Sequence, residues 1–359
     1  KRMDISAQIA EYKRENGLPI FQSAREREKL AAISKMANKE EMQRYLRVLY
    51  SLLFELSRTY QGALYRSDTE LYKTIRAAMD STSKVFPKQA AVACQGVEGA
   101  YAQLACERLF SAPSIQFFRN FDGIFSAIEA GLCRYGILPI ENSSTGSVHE
   151  VYDLVMANRC TIAAAAELPV RHCLAALPGA ELQNLHAVYS HPQGLSQCAE
   201  YIAAHGWQPC SCSNTAVAAE MVSRSGDTGI AAIASRRAAE LYGLTILEDG
   251  VQTAANNRTR FIAISSRLVI PQDADKISLL FSLPHVTGSL YRTLARFAIE
   301  GLNLTKMESR PLRTGEFEYA FYLDFEGSLA HPATLDLLCA LSEELPLFSF
   351  LGSYREISA

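Results

Sequence analysis

The sequence predicts a multidomain chain: an all-α N-terminal helical domain, a two-lobed α/β domain, and a small α+β domain of ferredoxin-like layout. Three observations predict it. Apolar residues recur at helical spacing up to about residue 80. From Ala90, short apolar runs alternate with helical stretches, the mark of an α/β domain. From Lys276 the order becomes strand, helix, strand, strand, helix, strand. A chain of 359 residues is also too long for one compact core. The expected domains span 1–80, 88–268 and 275–359.

Lys1 to Asn16 reads as a helix stopped by Gly17 and Pro19. Ala24 to Ala37 is a second, with Arg25-Glu26-Arg27-Glu28 in its first turn. Lys39 to Tyr65 is a long third, with Leu46, Leu49, Leu52, Leu53 and Leu56 at helical spacing. Asp68 to Asp80 leads to the polar linker Ser81-Thr82-Ser83-Lys84. The chain opens without Met and inside a helix, so the natural protein is expected to start upstream of Lys1.

In the middle segment, Val92-Ala93-Cys94-Gln95-Gly96 precedes a helix, and so does Val188-Tyr189-Ser190-His191 with its Pro-Gln-Gly. Asp122 and Thr215 each open a helix, leading to Gly136 and Gly229; both pairs lie 93 residues apart. Two similar lobes with a cleft between them account for this echo. Small anions suit such a cleft, where helix N-termini and loop N–H groups converge. Three polar stretches belong there: Glu141-Asn142-Ser143-Ser144-Thr145-Gly146-Ser147, Ser190-His191-Pro192-Gln193-Gly194, and Asn257-Arg258-Thr259-Arg260-Phe261 on the expected last strand. Asn214-Thr215-Ala216 occupies in the second lobe the place of Glu141-Asn142-Ser143-Ser144 in the first.

In the last segment, Ile277–Leu283 reads as a strand, Gly288–Glu300 as a helix and Leu302–Ser309 as an inner strand. The turn Arg313-Thr314-Gly315 leads to strand Glu318–Phe325, helix Pro332–Leu345 and strand Phe348–Tyr354.

Composition excludes several classes. The chain is 48% hydrophobic and 20% charged with net charge −3, and its Lys and Arg are scattered, which argues against nucleic acid. No apolar run approaches the ~20 residues that span a bilayer, so no membrane association is expected. The N-terminus lacks a signal-peptide layout. Nine cysteines are dispersed, and Cys210-Ser211-Cys212 is too close for a usual zinc site; reduced thiols in a cytoplasmic protein are expected. Neither a metal nor an organic cofactor is implied.

The three polar stretches, in this order, resemble prephenate dehydratase across roughly residues 88 to 268. The resemblance implies a periplasmic-binding-protein-like catalytic domain that converts prephenate to phenylpyruvate on the route to phenylalanine. It makes Thr259 the donor that assists departure of the ring hydroxyl. Threonine is a weak acid but a rigid hydroxyl donor, and one such donor in a dry site contributes roughly 3 kcal/mol. The implied substrate-binding set is Gln95, Gly96, Glu141, Asn142, Ser143, Ser144, His191, Asn214, Thr215, Asn257, Arg260 and Phe261. Asn142, Ser143, Ser144, Asn214 and Thr215 are expected to hold carboxylates by neutral hydrogen bonds, because a tight cation would favour the carboxylate over the neutral CO₂ it becomes. His191 reads equally as a general base or as a residue shaping the turn before Pro192. The loop Gln95-Gly96-Val97-Glu98-Gly99-Ala100-Tyr101 matches the family's first loop, but Ala102 stands where the family usually has Ser.

In the first segment Arg2, Ser6, Ile9 and Lys13 share one helical stripe, Arg25 and Glu26 open the second helix, and Ser57 and Gln61 lie one turn apart on the third. This constellation resembles the all-helical chorismate mutase. By that match Lys13 and Gln61 face the ether oxygen of chorismate, Arg2 and Arg25 its carboxylates, and Glu26 the ring hydroxyl. The rearrangement to prephenate needs only a held, folded dianion and stabilised charge on that oxygen. Two departures stand out. Gln22 occupies the place of the family's usual acid, and the first half of helix one, which supplies an arginine to the partner subunit's site, is absent. The alternative reading is a non-catalytic dimerisation domain.

The C-terminal segment resembles an ACT domain of the phenylalanine-sensing kind. Its signature residues are His285, Val286, Thr287, Gly288, Ser289 and Leu290, then Glu308-Ser309-Arg310-Pro311, with Ser289 where many such loops have Ala. The resemblance implies binding of L-phenylalanine, feedback inhibition, and a homodimer or homotetramer. The rival from another class is a non-catalytic binding protein made of a two-lobed cleft and a sensor.

Overall fold

The computed structural model describes residues 2–64, 69–82, 86–254, 256–312 and 319–358; the Arg313-Thr314-Gly315 turn and the side chain of Arg2 fall outside the described residues. The chain forms two compact units. One comprises Lys1–Thr82 with Ile270–Tyr354, the other Ser83–Val269 with Arg355–Ala359.

The first unit opens with helices α1 (Arg2–Glu15), α2 (Ser23–Ser34), α3 (Glu40–Ala63) and α4 (Glu70–Ser81). Thr69 caps α4 by accepting from the Tyr72 N–H at 3.2 Å, satisfying a donor the helix itself cannot. The leucine stripe of α3 is not its buried face. Leu49 is 52% exposed, whereas Glu55, Arg58 and Gln61 are buried. Leu46, Leu52, Leu53 and Leu56 are half-buried, so within one chain the stripe is only partly covered while three polar side chains near the helix C-terminus are buried.

The second unit contains β1 (Ala91–Gln95), α5 (Tyr101–Leu109), β2 (Ser114–Phe118), α6 (Phe121–Glu129), β3 (Tyr135–Asn142), β4 (Gly146–Ser147), α7 (His149–Ala157) and β5 (Thr161–Pro169). There follow β6 (Cys173–Ala176), β7 (Ala187–Ser190), α8 (Pro192–Gln197), α9 (Ala199–His205), β8 (Gln208–Ser211), α10 (Thr215–Ser225), β9 (Ile230–Ala234), α11 (Arg236–Leu241), β10 (Thr245–Asp249) and β11 (Arg258–Ser265). The chain then forms β12 (Lys276–Ser282), α12 (Ser289–Ile299), β13 (Asn303–Pro311), β14 (Tyr319–Glu326), α13 (Pro332–Glu344), β15 (Phe348–Tyr354) and β16 (Glu356–Ile357).

Two sheets make the two lobes of the second unit. One has the order β16-β5-β11-β3-β1-β2, with β4 attached to β3, and the other the order β10-β6-β9-β7-β8. Central strands such as β9 are buried along their whole length, as expected of strands covered on both faces. The strand β11 runs antiparallel between β3 and β5. It is not the last strand of this unit. After β15 the chain returns, and β16 pairs in parallel with β5.

The C-terminal sheet of the first unit has the order β13-β14-β12-β15. This is the expected βαββαβ layout with one correction: β13, which ends in Glu308-Ser309-Arg310-Pro311, is an edge strand and not an inner one. The β12–α12–β13 crossover leaves a gap one strand wide, and β14 fills it, antiparallel to both neighbours.

Candidate active sites

In the second unit a cleft of about 420 Å³ is lined from both sheets: by Gln95, Asn142, Thr259 and Phe261 on one side, and by His191, Gly194, Asn214 and Thr215 on the other. The antiparallel register of β3 and β11 sets Asn142 directly beside Thr259. Asn142 Oδ1 accepts from the N–H groups of Ser144 and Thr145 at 2.9 and 3.1 Å. That fixes the amide orientation, so Nδ2 donates to Thr259 Oγ1 at 2.9 Å and to Asn257 Oδ1 at 2.8 Å. With one lone pair engaged by Asn142, the Thr259 hydroxyl keeps its own proton to donate, and Thr259 lines the cleft.

The remaining loop residues divide into those that line the cleft and those that build it. Ser143 Oγ accepts from the Arg258 N–H at 2.9 Å and Ser144 Oγ donates to Asn257 Oδ1 at 3.2 Å, so both hydroxyls pin the loop to the start of β11. Asn214 caps α10 by accepting from the Ala216 N–H at 2.8 Å. Gly96 takes φ +101°, and a Cβ there would lie 2.8 Å from Asn214 Nδ2, so only glycine allows this approach between the lobes. Gly194 lies close against Ser190 Oγ in the same way, which is why the Ser190–Gly194 loop needs a glycine. Gln193 Nε2 donates to Thr145 Oγ1 at 3.0 Å, tying the loops of the two lobes together.

Arg260, Glu141, Ser143, Ser144, Asn257 and Gly96 are not among the residues lining the cleft. Strand alternation turns Arg260 to the opposite face from Thr259, where it forms a close ion pair with Glu356 of β16. Arg260 therefore anchors the returning C-terminal strand. Glu141 sits opposite Arg260 in the register. His191 caps α8, its Nδ1 accepting from the Gln193 N–H at 3.2 Å, and burial holds its pKa below the ordinary value. The turn-shaping role of His191 thus has a direct geometric basis.

Several cleft residues were not singled out from sequence, His172, Gln197 and Glu150 among them. His172 is 2% exposed, with Nε2 2.9 Å from Gln197 Oε1 and its ring edge-on to Tyr101. Burial lowers its pKa, against the effect of the Gln197 hydrogen bond. Among the described residues, His172 Nδ1 and Gln197 Nε2 have no partner. Gln197 follows Gln193 by one helical turn, a spacing that would have placed it on the same face of α8. Nothing in the sequence marks His172. Among the described residues no Lys or Arg lines this cleft, and Glu150 is its one acid.

The helical pocket in the first unit differs in every electrostatic respect. It has a volume of about 730 Å³ and, among the described residues, is lined by Lys13, Arg25, Lys29 and Arg58 against the single acid Glu26, together with Ser57 and Gln61. Lys13 Nζ donates to Gln61 Oε1 at 3.2 Å and to the Ile20 carbonyl at 2.6 Å. Burial lowers the Lys13 pKa, and the nearby Glu26 carboxylate opposes that shift. Ser57 Oγ is turned back to the Leu53 carbonyl at 2.9 Å. Lys29 and Arg58 join the pocket without having been marked by sequence.

A family model for prephenate dehydratase matches residues 92–268, and one for chorismate mutase type II matches residues 1–62. Over 279 residues the chain is 38% identical to arogenate dehydratase/prephenate dehydratase 1, chloroplastic, of Arabidopsis thaliana, covering 73% of this chain and 71% of that protein. The chain belongs to the prephenate dehydratase family. It is also 38% identical over 281 residues to arogenate dehydratase 1 of Petunia hybrida, covering 73% of this chain and 66% of the relative. Among solved structures, prephenate dehydratase from Arthrobacter aurescens in complex with L-Phe superposes with TM-score 0.68 at 28% identity, covering 74% of this chain and 89% of that one. A protein described as GqqA, a novel type of quorum quenching acylase, superposes with TM-score 0.67 at 31% identity, covering 74% and 97% respectively. The two matched domains make this member of the family an enzyme of two kinds, a prephenate dehydratase, which is a carbon–oxygen lyase, and a chorismate mutase, which is an isomerase.

The expected phenylalanine loop is also placed. His285, Val286, Thr287 and Gly288 are exposed, and Ser289 and Leu290 are half-buried. Gly288 takes φ +81° as the residue preceding α12, a conformation that favours glycine. Along β13, Glu308 and Arg310 are half-buried while Ser309 and Pro311 face outward.

Proposed function

We propose that this chain converts chorismate to prephenate in its helical pocket and prephenate to phenylpyruvate in its two-lobed cleft, within phenylalanine biosynthesis, and that L-phenylalanine binds the C-terminal module and inhibits dehydration. The observation that carries the dehydratase assignment is the Asn142–Thr259 pair, which keeps the Thr259 hydroxyl proton available in a cleft where no Lys or Arg is among the described lining residues. In dehydration the electron pair of the C–CO₂ bond moves into the ring, CO₂ departs, and the ring oxygen leaves as hydroxide that takes up a proton to become water. Thr259 hydrogen-bonds that oxygen as its charge develops. Neutral donors such as Asn214 and Gln197 hold the departing carboxylate without over-stabilising it.

The two sites contrast as their chemistries require. The mutase step keeps both carboxylates, so the cations Lys13, Arg25 and Lys29 bind the dianion without opposing the reaction. The Lys13–Gln61 contact supports these two as the pair facing the ether oxygen, and favours catalysis over a purely dimerising role. Glu26 is assigned to the ring hydroxyl.

The open apolar surface of the helices, with Ile5, Ile9, Tyr12, Tyr45, Val48 and Leu49 exposed, supports a homodimer or homotetramer, as does the edge strand β13 with Met307 exposed. The phenylalanine site is assigned to the loop from His285 to Leu290 with Glu308-Ser309-Arg310-Pro311, and the domains to 1–80, 88–268 and 275–359. Among the described residues no helix is long and apolar enough to cross a membrane, and a cytoplasmic enzyme acting without a cofactor is proposed.

The deciding experiment is formation of phenylpyruvate from prephenate by the purified chain, with arogenate as a parallel substrate. Absence of turnover on both would overturn the dehydratase assignment. Calorimetric titration with L-phenylalanine tests the sensor. Binding should be seen with wild type and lost in a Gly288→Val/Glu308→Ala double variant; no binding to wild type, or equal binding to both, removes it.

A further inference from the structure

The helices α3 and α13 cross closely beside the helical pocket: a Cβ on Gly62 would lie 3.3 Å from Ala340 Cβ. One turn earlier on α3 lies Arg58, 5% exposed, over the Phe21 ring with Cζ 4.8 Å from its centroid. Its Nη1 makes a close ion pair with Glu26 and its Nη2 another with Glu55. Its Nε lies 3.9 Å from Glu344 Oε2 on α13, and the same oxygen accepts from Arg296 Nη1 of α12 at 2.9 Å. Five groups thus form one ladder of alternating charge, from Glu26 in the mutase pocket through Arg58 to Glu344 and Arg296 in the C-terminal module. Arg58 also lines two cavities at once. One is the mutase pocket, and the other is a small cleft shared with Leu283, Ser289, Arg292 and Arg296.

We propose that Arg58 is a positioning residue for the chorismate rearrangement, which aims the Glu26 carboxylate into the pocket and makes that aim depend on Glu344 of the C-terminal module. This rests on the mutase reading of Lys13, Gln61 and Glu26. A planar guanidinium has a fixed fork of donors, so a shift toward one carboxylate turns it away from the others. Burial opposes the charge on Arg58, but Glu55 and Glu26 outweigh it and its pKa is raised; burial pushes the Glu344 carboxyl up against the pull of Arg296 and Arg58. The ladder is therefore poised: losing charge at Glu344 releases Arg58 toward Glu55 and Glu26 and changes the geometry in which Glu26 meets substrate.

Truncating Arg58 itself is a poor test, since it strands buried carboxylates and threatens folding. Glu344→Gln keeps the shape and leaves the mutase pocket untouched. In the full chain it should lower mutase kcat/KM at least about fivefold, the lower end of ordinary coupling between sites, with prephenate dehydration unchanged as the control. The discriminating measurement is the same change made together with Glu26→Gln. If the effect passes through Glu26, Glu344→Gln adds nothing in that background. A ladder that merely glues helices together would lower the rate equally in both. Wild-type mutase activity that Glu344→Gln leaves intact, or reduces alike in both backgrounds, overturns the proposal. A wild-type protein carrying the complete first helix that turns over prephenate but not chorismate would instead remove the mutase reading, and this inference with it.

Discussion

Asn142→Asp is a one-atom test of how Thr259 is used. In the wild type Asn142 Nδ2 lies 2.9 Å from Thr259 Oγ1 and donates to it, while Oδ1 is held by the Ser144 and Thr145 N–H groups. The new carboxylate retains those two backbone donors on one oxygen. Its other oxygen can only accept, so Thr259 must give it the single hydroxyl proton in a charge-assisted bond. The leaving oxygen of prephenate then loses its donor. Removing one transition-state donor costs about 2.7–4 kcal/mol, or roughly 10²–10³ in kcat. A second negative group beside a dianion also raises KM. The fold should survive, because Asn257 can rotate to offer its Nδ2, which has no partner among the described residues. The sign of the pH effect follows from the same geometry. The protonated carboxyl is again a donor, so activity should climb as pH falls through its pKa, and the backbone N–H groups hold that pKa down against burial. The assay is steady-state formation of phenylpyruvate across pH, with Asn142→Ala as the control, which should show no acid recovery. An Asn142→Asp enzyme within about threefold of wild type at neutral pH would refute the reasoning, since one lost donor is too large an effect to hide.

Thr259→Ala should reduce dehydratase kcat by about 10²–10³ with little change in prephenate affinity, whereas Thr259→Ser should keep most of the rate; near-normal turnover by the alanine variant would sink the assignment. In a protein that carries the complete first helix, Lys13→Ala and Gln61→Ala should each abolish most chorismate rearrangement and leave dehydration intact, as followed by the two activities in one preparation. Gly136 packs under α6, where an added Cβ would run into Ile124 Cγ2 and lie 2.8 Å from Ile128 Cδ1. Gly136→Ala should therefore lower the stability of the α/β unit by about 1–3 kcal/mol, seen as an earlier thermal transition, and an unchanged midpoint would mean that α6 yields freely.

By itself, the sequence determined the elements and the chemistry-bearing stretches. Helical spacing up to residue 80, the alternation that follows and the βαββαβ order at the end all reappear in the fold, because local periodicity reports the type of each element; the most buried face of α3, with Glu55, Arg58 and Gln61, it did not report. Lys13 and Gln61, 48 residues apart, do meet, and so do Asn142 and Thr259, 117 residues apart. What only the tertiary structure decided is where each polar side chain finds its partner. Strand alternation alone cannot say that Arg260 will answer Glu356, because that acid arrives on a strand formed after the whole C-terminal module. The alanine run Ala163–Ala166 carries no strand preference of its own, yet it is buried in a strand between β11 and the short edge strand β16, where burial outweighs propensity. His172 belongs to no motif and becomes a cleft residue only when Gln197 is brought 2.9 Å away. Arg58 reads from sequence as one more charge on a helix. Its buried place between Glu26, Glu55 and Glu344 exists only once α13 crosses α3, and the cost of burying a charge is met by partners that sequence distance conceals.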